Sequence, residues 1–186
     1  MIPIALDPRL TSLGVAGNGP LALRRYRALR AAGADGALLF SDDPSAEAVD
    51  AAGGNLRHAL PDEAALAALH VLWIVDQPAE EAEALATRAR AARVLVNVED
   101  VLPFCDFHSV AEIRRGDLLF TISTAGAAPG LAGVLRRDLE TRFGLEWADR
   151  VARVRALRRA WQQEGVTMPE AARRIAALVE EEGWLA

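Results

Sequence analysis

The stretch "GVAGNGPLALRR", Gly14 to Arg25, joins a short apolar run to an amphipathic one through two glycines and a proline. Gly17-Asn18-Gly19-Pro20-Leu21-Ala22 reads as a strand-to-helix turn. Gly17 permits the tight turn, Gly19 lets a pyrophosphate approach the backbone, and Ala22 allows close helix–strand packing. Pro20 opens the helix, where its fixed φ and missing N–H cost nothing, and the free N–H groups there would meet phosphates. Two glycines between any strand and helix would look the same. The context favours the dinucleotide reading, because Ser41 and Asp42 close the second apolar run, where such folds place the carboxylate that takes the ribose hydroxyls. Asp42 and Asp43 oppose a 2′-phosphate while Arg57 would not, and NAD is the expected cofactor.

Outward from this turn, apolar runs alternate with helix-like segments, the order of an α/β fold with a parallel Rossmann-like sheet. Ser12–Ala16, Gly36–Phe40, a short "LRHAL", His70–Asp76 and Arg93–Val98 are the expected strands. The helix after Pro20 carries Leu21, Leu29 and Ala32 against Arg24, Arg25 and Arg27 and ends at Gly33; "AEAVDAAGG" and "AEEAEALATRARAA" supply two more. After Val98, "EDVLPFCDFHSVAEIRRG" reads as a long connection, "DLLFTIST" as a strand and "GLAGVLRRDLETRFG" as a helix. Trp147, Val151, Val154, Leu157 and Trp161 form a helical packing stripe, and Thr167 caps a last helix.

Composition narrows the chemistry. All 21 basic residues are arginine, which excludes Schiff-base lysines and phosphate-loop lysines. The single Cys105 cannot form an internal disulfide or a multi-cysteine metal site, and no metal site is expected. A net charge of −5 argues against nucleic-acid binding. No basic leader precedes a long apolar run and no apolar run is long enough to span a bilayer, so a soluble cytoplasmic protein is expected.

The tract from Val96 to Pro129 is the most specific part of the chain. Val96-Asn97-Val98-Glu99-Asp100, Cys105-Asp106-Phe107, Arg115-Gly116 and Ile122-Ser123-Thr124-Ala125-Gly126-Ala127-Ala128-Pro129 resemble the VNV-x-D, CDF, arginine-glycine and ISTGG-x-SP elements of the precorrin-2 dehydrogenase and sirohydrochlorin ferrochelatase family, the N-terminal module of siroheme synthases and their stand-alone relatives. "IPIALD" and "GNGPLALRR" fit that family's opening and its GGG-x-VA-x-RK fingerprint, so the resemblance covers residues 2 to about 140.

The resemblance implies three parts: an NAD-binding Rossmann-like domain (residues 1–112), a small α+β dimerisation domain (113–145) and a helical C-terminal domain (146–186). It implies a homodimer that oxidises the tetrapyrrole precorrin-2 to sirohydrochlorin with NAD, and in bifunctional members inserts ferrous iron. Asp100 matches the family's catalytic aspartate, and Thr124 matches a hydroxyl position lining the tetrapyrrole. Asp106, His108 and Arg115 are further candidates for substrate binding, the first two by acid–base work and the arginine by pairing with substrate carboxylates. Each of these also has a plain reading as a turn, cap or solvated residue. Val75 and Asp76 stand where the family carries a T-D element near the nucleotide, so the resemblance adds both to the candidate cofactor-binding residues, and the chain departs from the family at Asn18, Val75, Ala125 and Ala128. Those departures keep two alternatives open: a divergent paralogue that binds tetrapyrrole or nucleotide without turnover, and an NAD-dependent oxidoreductase with another substrate.

Overall fold

The structure is a computed structural model and describes residues 2–185. The chain divides into two units, residues 1–109 and 110–186. In the first, β1 (Leu13–Ala16), α1 (Pro20–Ala31), β2 (Leu38–Phe40), α2 (Ala46–Ala52), β3 (Leu56–Arg57), α3 (Glu63–Ala67), β4 (Val71–Ile74), α4 (Ala79–Ala91) and β5 (Leu95–Val98) alternate as expected. All five strands run parallel in the order β3-β2-β1-β4-β5, so the chain reverses its direction of travel between β1 and β4. In a doubly wound sheet that reversal opens a crevice at the carboxyl ends of the two strands.

Alternation along the strands builds two cores. Leu13, Val15, Leu39, Val71 and Trp73 pack beneath α1 and α2, and Ala16, Phe40, Leu72, Ile74, Val96 and Val98 beneath α3 and α4. Burial on both faces explains why the strands read as continuous apolar runs. The face of α1 that enters the core is Ala22, Leu23 and Tyr26 with Leu29 alongside, whereas Leu21, expected on the apolar side, is exposed. The α3 helix was not anticipated; Asp62 caps it by accepting a hydrogen bond from Ala65 N at 2.8 Å.

The second unit opens with β6 (Ala111–Arg115), part of the stretch read from sequence as connection, paired antiparallel to β7 (Leu118–Ile122). Gly116, at φ +57°, makes the two-residue turn between them. Ile113 is the one fully buried apolar residue of β6, and the apolar–charged alternation Ala111-Glu112-Ile113-Arg114 breaks at Arg115, too short a run to mark a strand. The hairpin is followed by α5 (Pro129–Arg142), α6 (Trp147–Gln163) and α7 (Met168–Glu181), the last capped by Thr167 as expected. Phe120, Phe143, Trp147 and Trp184 stack in series with centroid separations of 4.5, 5.1 and 6.1 Å, joining hairpin and helical tail within one unit. The packing stripe on α6, from Trp147 to Trp161, is half-buried throughout.

Candidate functional site

The glycines of the β1–α1 turn are required by the chain itself. A Cβ on Gly17 would run into the Val75 carbonyl and lie 3.0 Å from the Ala22 Cβ; one on Gly19 would collide with the Asp76 carboxylate. The room at Gly19, assigned from sequence to a pyrophosphate, is therefore taken by Asp76. Its Oδ2 accepts hydrogen bonds from Leu21 N (2.8 Å) and Ala22 N (3.0 Å) and caps α1 from across the crevice. The N-cap residue Gly19 has no side chain to do so, and Pro20 has no N–H to satisfy. Among the described residues, the N–H groups of Asn18 and Gly19 have no acceptor and remain as donors at the mouth of the crevice.

Asn18 ties this turn to the end of β2. Its Nδ2 donates to Asp42 Oδ1 at 2.7 Å, and its Oδ1 accepts from the buried Ser41 hydroxyl at 2.7 Å and from Asp43 N at 3.4 Å. Ser41 is in turn anchored by its N–H on the Arg57 carbonyl, and Gly17 N donates to Phe40 O. The Arg57 guanidinium donates to the carbonyls of Gly54 and Leu56, at 3.0 and 2.9 Å, and so is engaged within its own turn.

At the other side of the crevice, Asp100 follows β5 in an exposed turn closed by a hydrogen bond from Val101 N to Val98 O. Its φ is +62°, and Asp76 sits at +53°. Ile74 pairs with Val98 in the ladder, so each aspartate stands two residues beyond a paired position on neighbouring strands. A left-handed residue with a side chain carries strain that the surroundings must hold in place. Here Glu99 holds it: its N–H donates to Ile74 O, and its carboxylate accepts from Arg25 of α1 at 3.0 Å in a largely buried ion pair. Sequence reading missed Glu99 and Arg25 as a pair, since they are 74 positions apart.

The Cys105-Asp106-Phe107 segment finishes the sheet. Asp106 N donates to Val96 O at 2.7 Å and its carboxylate accepts from Val96 N (2.9 Å) and from the Arg90 guanidinium, so Asp106 covers the free edge of β5. The buried Asn97 donates to Phe107 O at 2.8 Å, Phe107 meets Trp73 edge-on at 5.1 Å, and the Cys105 thiol donates to Val98 O. Burial pushes the Cys105 thiol pKa up, away from the reactive thiolate. Asp106, proposed from sequence for acid–base work, is thus committed to backbone and to Arg90. His108 is half-buried and has no hydrogen-bond partner among the described residues. Of the other histidines, His70 accepts from Ser12 N at the start of β1, and His58 is exposed.

In the second unit, Thr124 Oγ1 accepts from Ala128 N at 3.2 Å and its carbonyl from Ala127 N, which winds the loop into α5. Ala125 stands in the left-handed region at φ +54°, where the resembled family carries glycine. Arg115, a sequence candidate for substrate carboxylates, donates instead to the carbonyls of Phe143 and Gly144 and closes the end of α5. Arg114 and Arg136 pair with Glu112 and Glu140. No three His, Cys, Asp or Glu side chains converge to hold a metal ion among the described residues, and no helix there is long and apolar enough to cross a membrane.

The comparisons with known proteins agree with this geometry. Residues 4–111 match the family model described as "Putative NAD(P)-binding". Sequence relatives include a siroheme synthase of Nitrosococcus oceani, 29% identical over 97% of this chain and 42% of that protein, and one of Chromobacterium violaceum, 34% identical over 86% and 37%. A further relative is the siroheme biosynthesis protein met8 of Schizosaccharomyces pombe, 35% identical over 38% of this chain and 26% of its own length. The chain spans less than half the length of these relatives. Among solved structures, SirC, a precorrin-2 dehydrogenase, shares the fold with a TM-score of 0.75 at 20% identity, over 100% of this chain and 93% of that one. The glycine turn, the β1/β4 crevice and the match over residues 4–111 place the chain in the NAD(P)-binding family, among relatives that are siroheme synthases.

Proposed function

We propose that this protein oxidises precorrin-2 to sirohydrochlorin with NAD, working in the cytoplasm as a homodimer. The observation that carries the reading is Asp100: an exposed carboxylate held in a strained conformation by Glu99 and Arg25, at the carboxyl edge of a dinucleotide-binding sheet. Asp42 offers a carboxylate for ribose hydroxyls, and the N–H groups of Asn18 and Gly19 are left for the diphosphate, beside the Asp76 carboxylate that already takes the N–H groups of Leu21 and Ala22. The nicotinamide supplies a hydride acceptor when bound. Asp100 takes the proton that the tetrapyrrole releases as it gives up that hydride, so one hydride and one proton leave the substrate together. Thr124 is the candidate contact to the tetrapyrrole in the second unit, where its hydroxyl already accepts from Ala128 N and still has a proton to donate.

The dimer is supported by α5, which leaves Leu131, Val134 and Leu135 exposed at one-face helical spacing. We assign the hairpin and α5 to the dimer contact, within residues 113–145, and α6 and α7 to the helical tail.

Anaerobic turnover of precorrin-2 with NAD, followed by the absorbance of sirohydrochlorin, tests the reading. Asp100→Ala is expected to lower turnover about a hundredfold or more while NAD binding persists. Full activity in the variant would remove Asp100 from the chemistry, and no turnover in either protein would overturn the function. Adding ferrous iron to the same assay reads out the second activity, insertion into sirohydrochlorin with release of two pyrrole N–H protons.

A further inference from the structure

We infer that Asn18 is a positioning residue that orients Asp42 for the ribose and thereby sets selection of NAD over NADP; this rests on the cofactor reading above. The argument starts from an exposed carboxylate on a loop. Asp42 follows β2 at the surface, where a free aspartate would sample several rotamers and lose part of its hold on a ribose to that freedom. The hydrogen bond from Asn18 Nδ2 to Asp42 Oδ1, at 2.7 Å, removes it. Asn18 is itself fixed from behind, because the hydroxyl of Ser41, 1% exposed, donates to its Oδ1. The neighbours on either side settle which end of the Asn18 amide points at Asp42: a carboxylate can only accept, so it takes the N–H₂, and the backbone N–H of Asp43 can only donate, so it takes the oxygen, with the Ser41 hydroxyl turning to donate to that same oxygen.

A carboxylate has four lone-pair sites, and Asn18 uses one of them on Oδ1. Oδ2 stays available for vicinal ribose hydroxyls. The same arrangement fixes the Asp42 carboxylate where it would oppose a 2′-phosphate, while Arg57, the nearby cation, spends its Nη1 protons on the carbonyls of Gly54 and Leu56 and is anchored in its own turn. Discrimination thus depends on Asp42 being held in one place. Asparagine is what lets the turn residue do this, since glycine at position 18 would leave Ser41 and Asp42 without their shared partner.

The experiment is equilibrium binding of NAD and of NADP to the full chain, in the unmodified protein, Asn18→Gly, Asp42→Ala and the double variant. Asn18→Gly is expected to weaken NAD about fivefold to tenfold and to shrink the NAD:NADP affinity ratio by a similar factor. In Asp42→Ala the ratio should collapse towards one, and adding Asn18→Gly to that background should change nothing further. An unchanged ratio in Asn18→Gly, or strictly additive losses in the double variant, would overturn the inference while leaving the cofactor reading intact. Failure of the unmodified protein to bind either nucleotide would overturn both. Loss of NAD and NADP affinity by the same factor in Asn18→Gly, with thermal stability lowered, would mean that Asn18 only shapes the turn.

Discussion

The two units of this chain solve the burial problem differently. The first sandwiches a parallel sheet between helices and buries apolar residues on both faces, from Val15 and Leu72 to Ala86 and Val96, all fully sequestered. The second, among its described residues, fully buries only Ile113, Ala132 and Ala171, and leaves Leu131, Val134, Leu135 and Leu145 exposed. Its helices are laced instead by surface ion pairs such as Arg153–Glu182 and Arg174–Glu170. The contrast teaches where each kind of function can live. A strained carboxylate such as Asp100 needs a rigid frame, which the first unit supplies, while an under-buried helix face is material for association.

The sharpest way to break this contrast is to cut into both cores. Leu72→Ala, at a fully buried site of β4, should cost about 2–5 kcal/mol, whereas Leu135→Ala on α5 should cost the monomer less than about 0.5 kcal/mol. Denaturant unfolding of each variant checks this, and comparable losses would erase the distinction. Next in size, Asp76→Ala leaves two N–H groups of α1 without their acceptor and should cost about 1–2 kcal/mol, read as a lower Tm. A larger drop would mean that Asp76 also supports the packing of β4 against the glycine turn.

A gain is expected in the second unit. Ala125 occupies the left-handed region, where a Cβ costs about 1–2 kcal/mol and glycine's extra chain entropy returns roughly half of that. Ala125→Gly should therefore raise stability by about 0.5–1 kcal/mol, and an unchanged or lowered Tm would show that the neighbouring loop already relieves the strain.

The smallest effect is one of pH. Hydrogen bonds from Arg173 and then Arg174 hold the Glu170 carboxyl below its ordinary value, and Arg153 does the same for Glu182. Groups with lowered pKa values contribute stability above their unfolded values and lose it as pH falls through the folded ones. Both groups are solvent-exposed, so the loss is slight, but it falls on the second unit. Acid titration followed by the fluorescence of Trp184, which donates to Glu182, should change before that of Trp73 in the first core. The reverse order would contradict the assignment of ion pairing to the second unit and apolar burial to the first.

Legibility of the fold follows from which interactions are local. Strands buried on both faces and a helix opened by proline announce themselves in adjacent residues, so β1, α1, β4 and β5 stand close to where their patterns place them. Strand β6 does not, because it buries only Ile113, its alternation breaks at Arg114-Arg115, and its strand character depends on pairing with β7. The site divides the same way. The glycine turn, Asp42 and Asp100 were visible as spacings. The use of Gly19's space by Asp76, the bridge from Asn18 to Ser41 and Asp42, and the Arg25–Glu99 pair join residues 23 to 74 positions apart.

Asp106 and Arg115 show the limit from the other direction. Their residue types suited proton transfer and carboxylate binding, yet one covers the β5 edge and the other closes α5. By itself, the order of apolar runs and turn residues determined a parallel α/β unit with a nucleotide turn and an aspartate at the end of its last strand, because backbone periodicity is a local property. Tertiary structure alone decided which polar groups remain free for a ligand, because a side chain's partners are chosen by whatever the folded chain brings within about 3 Å of it.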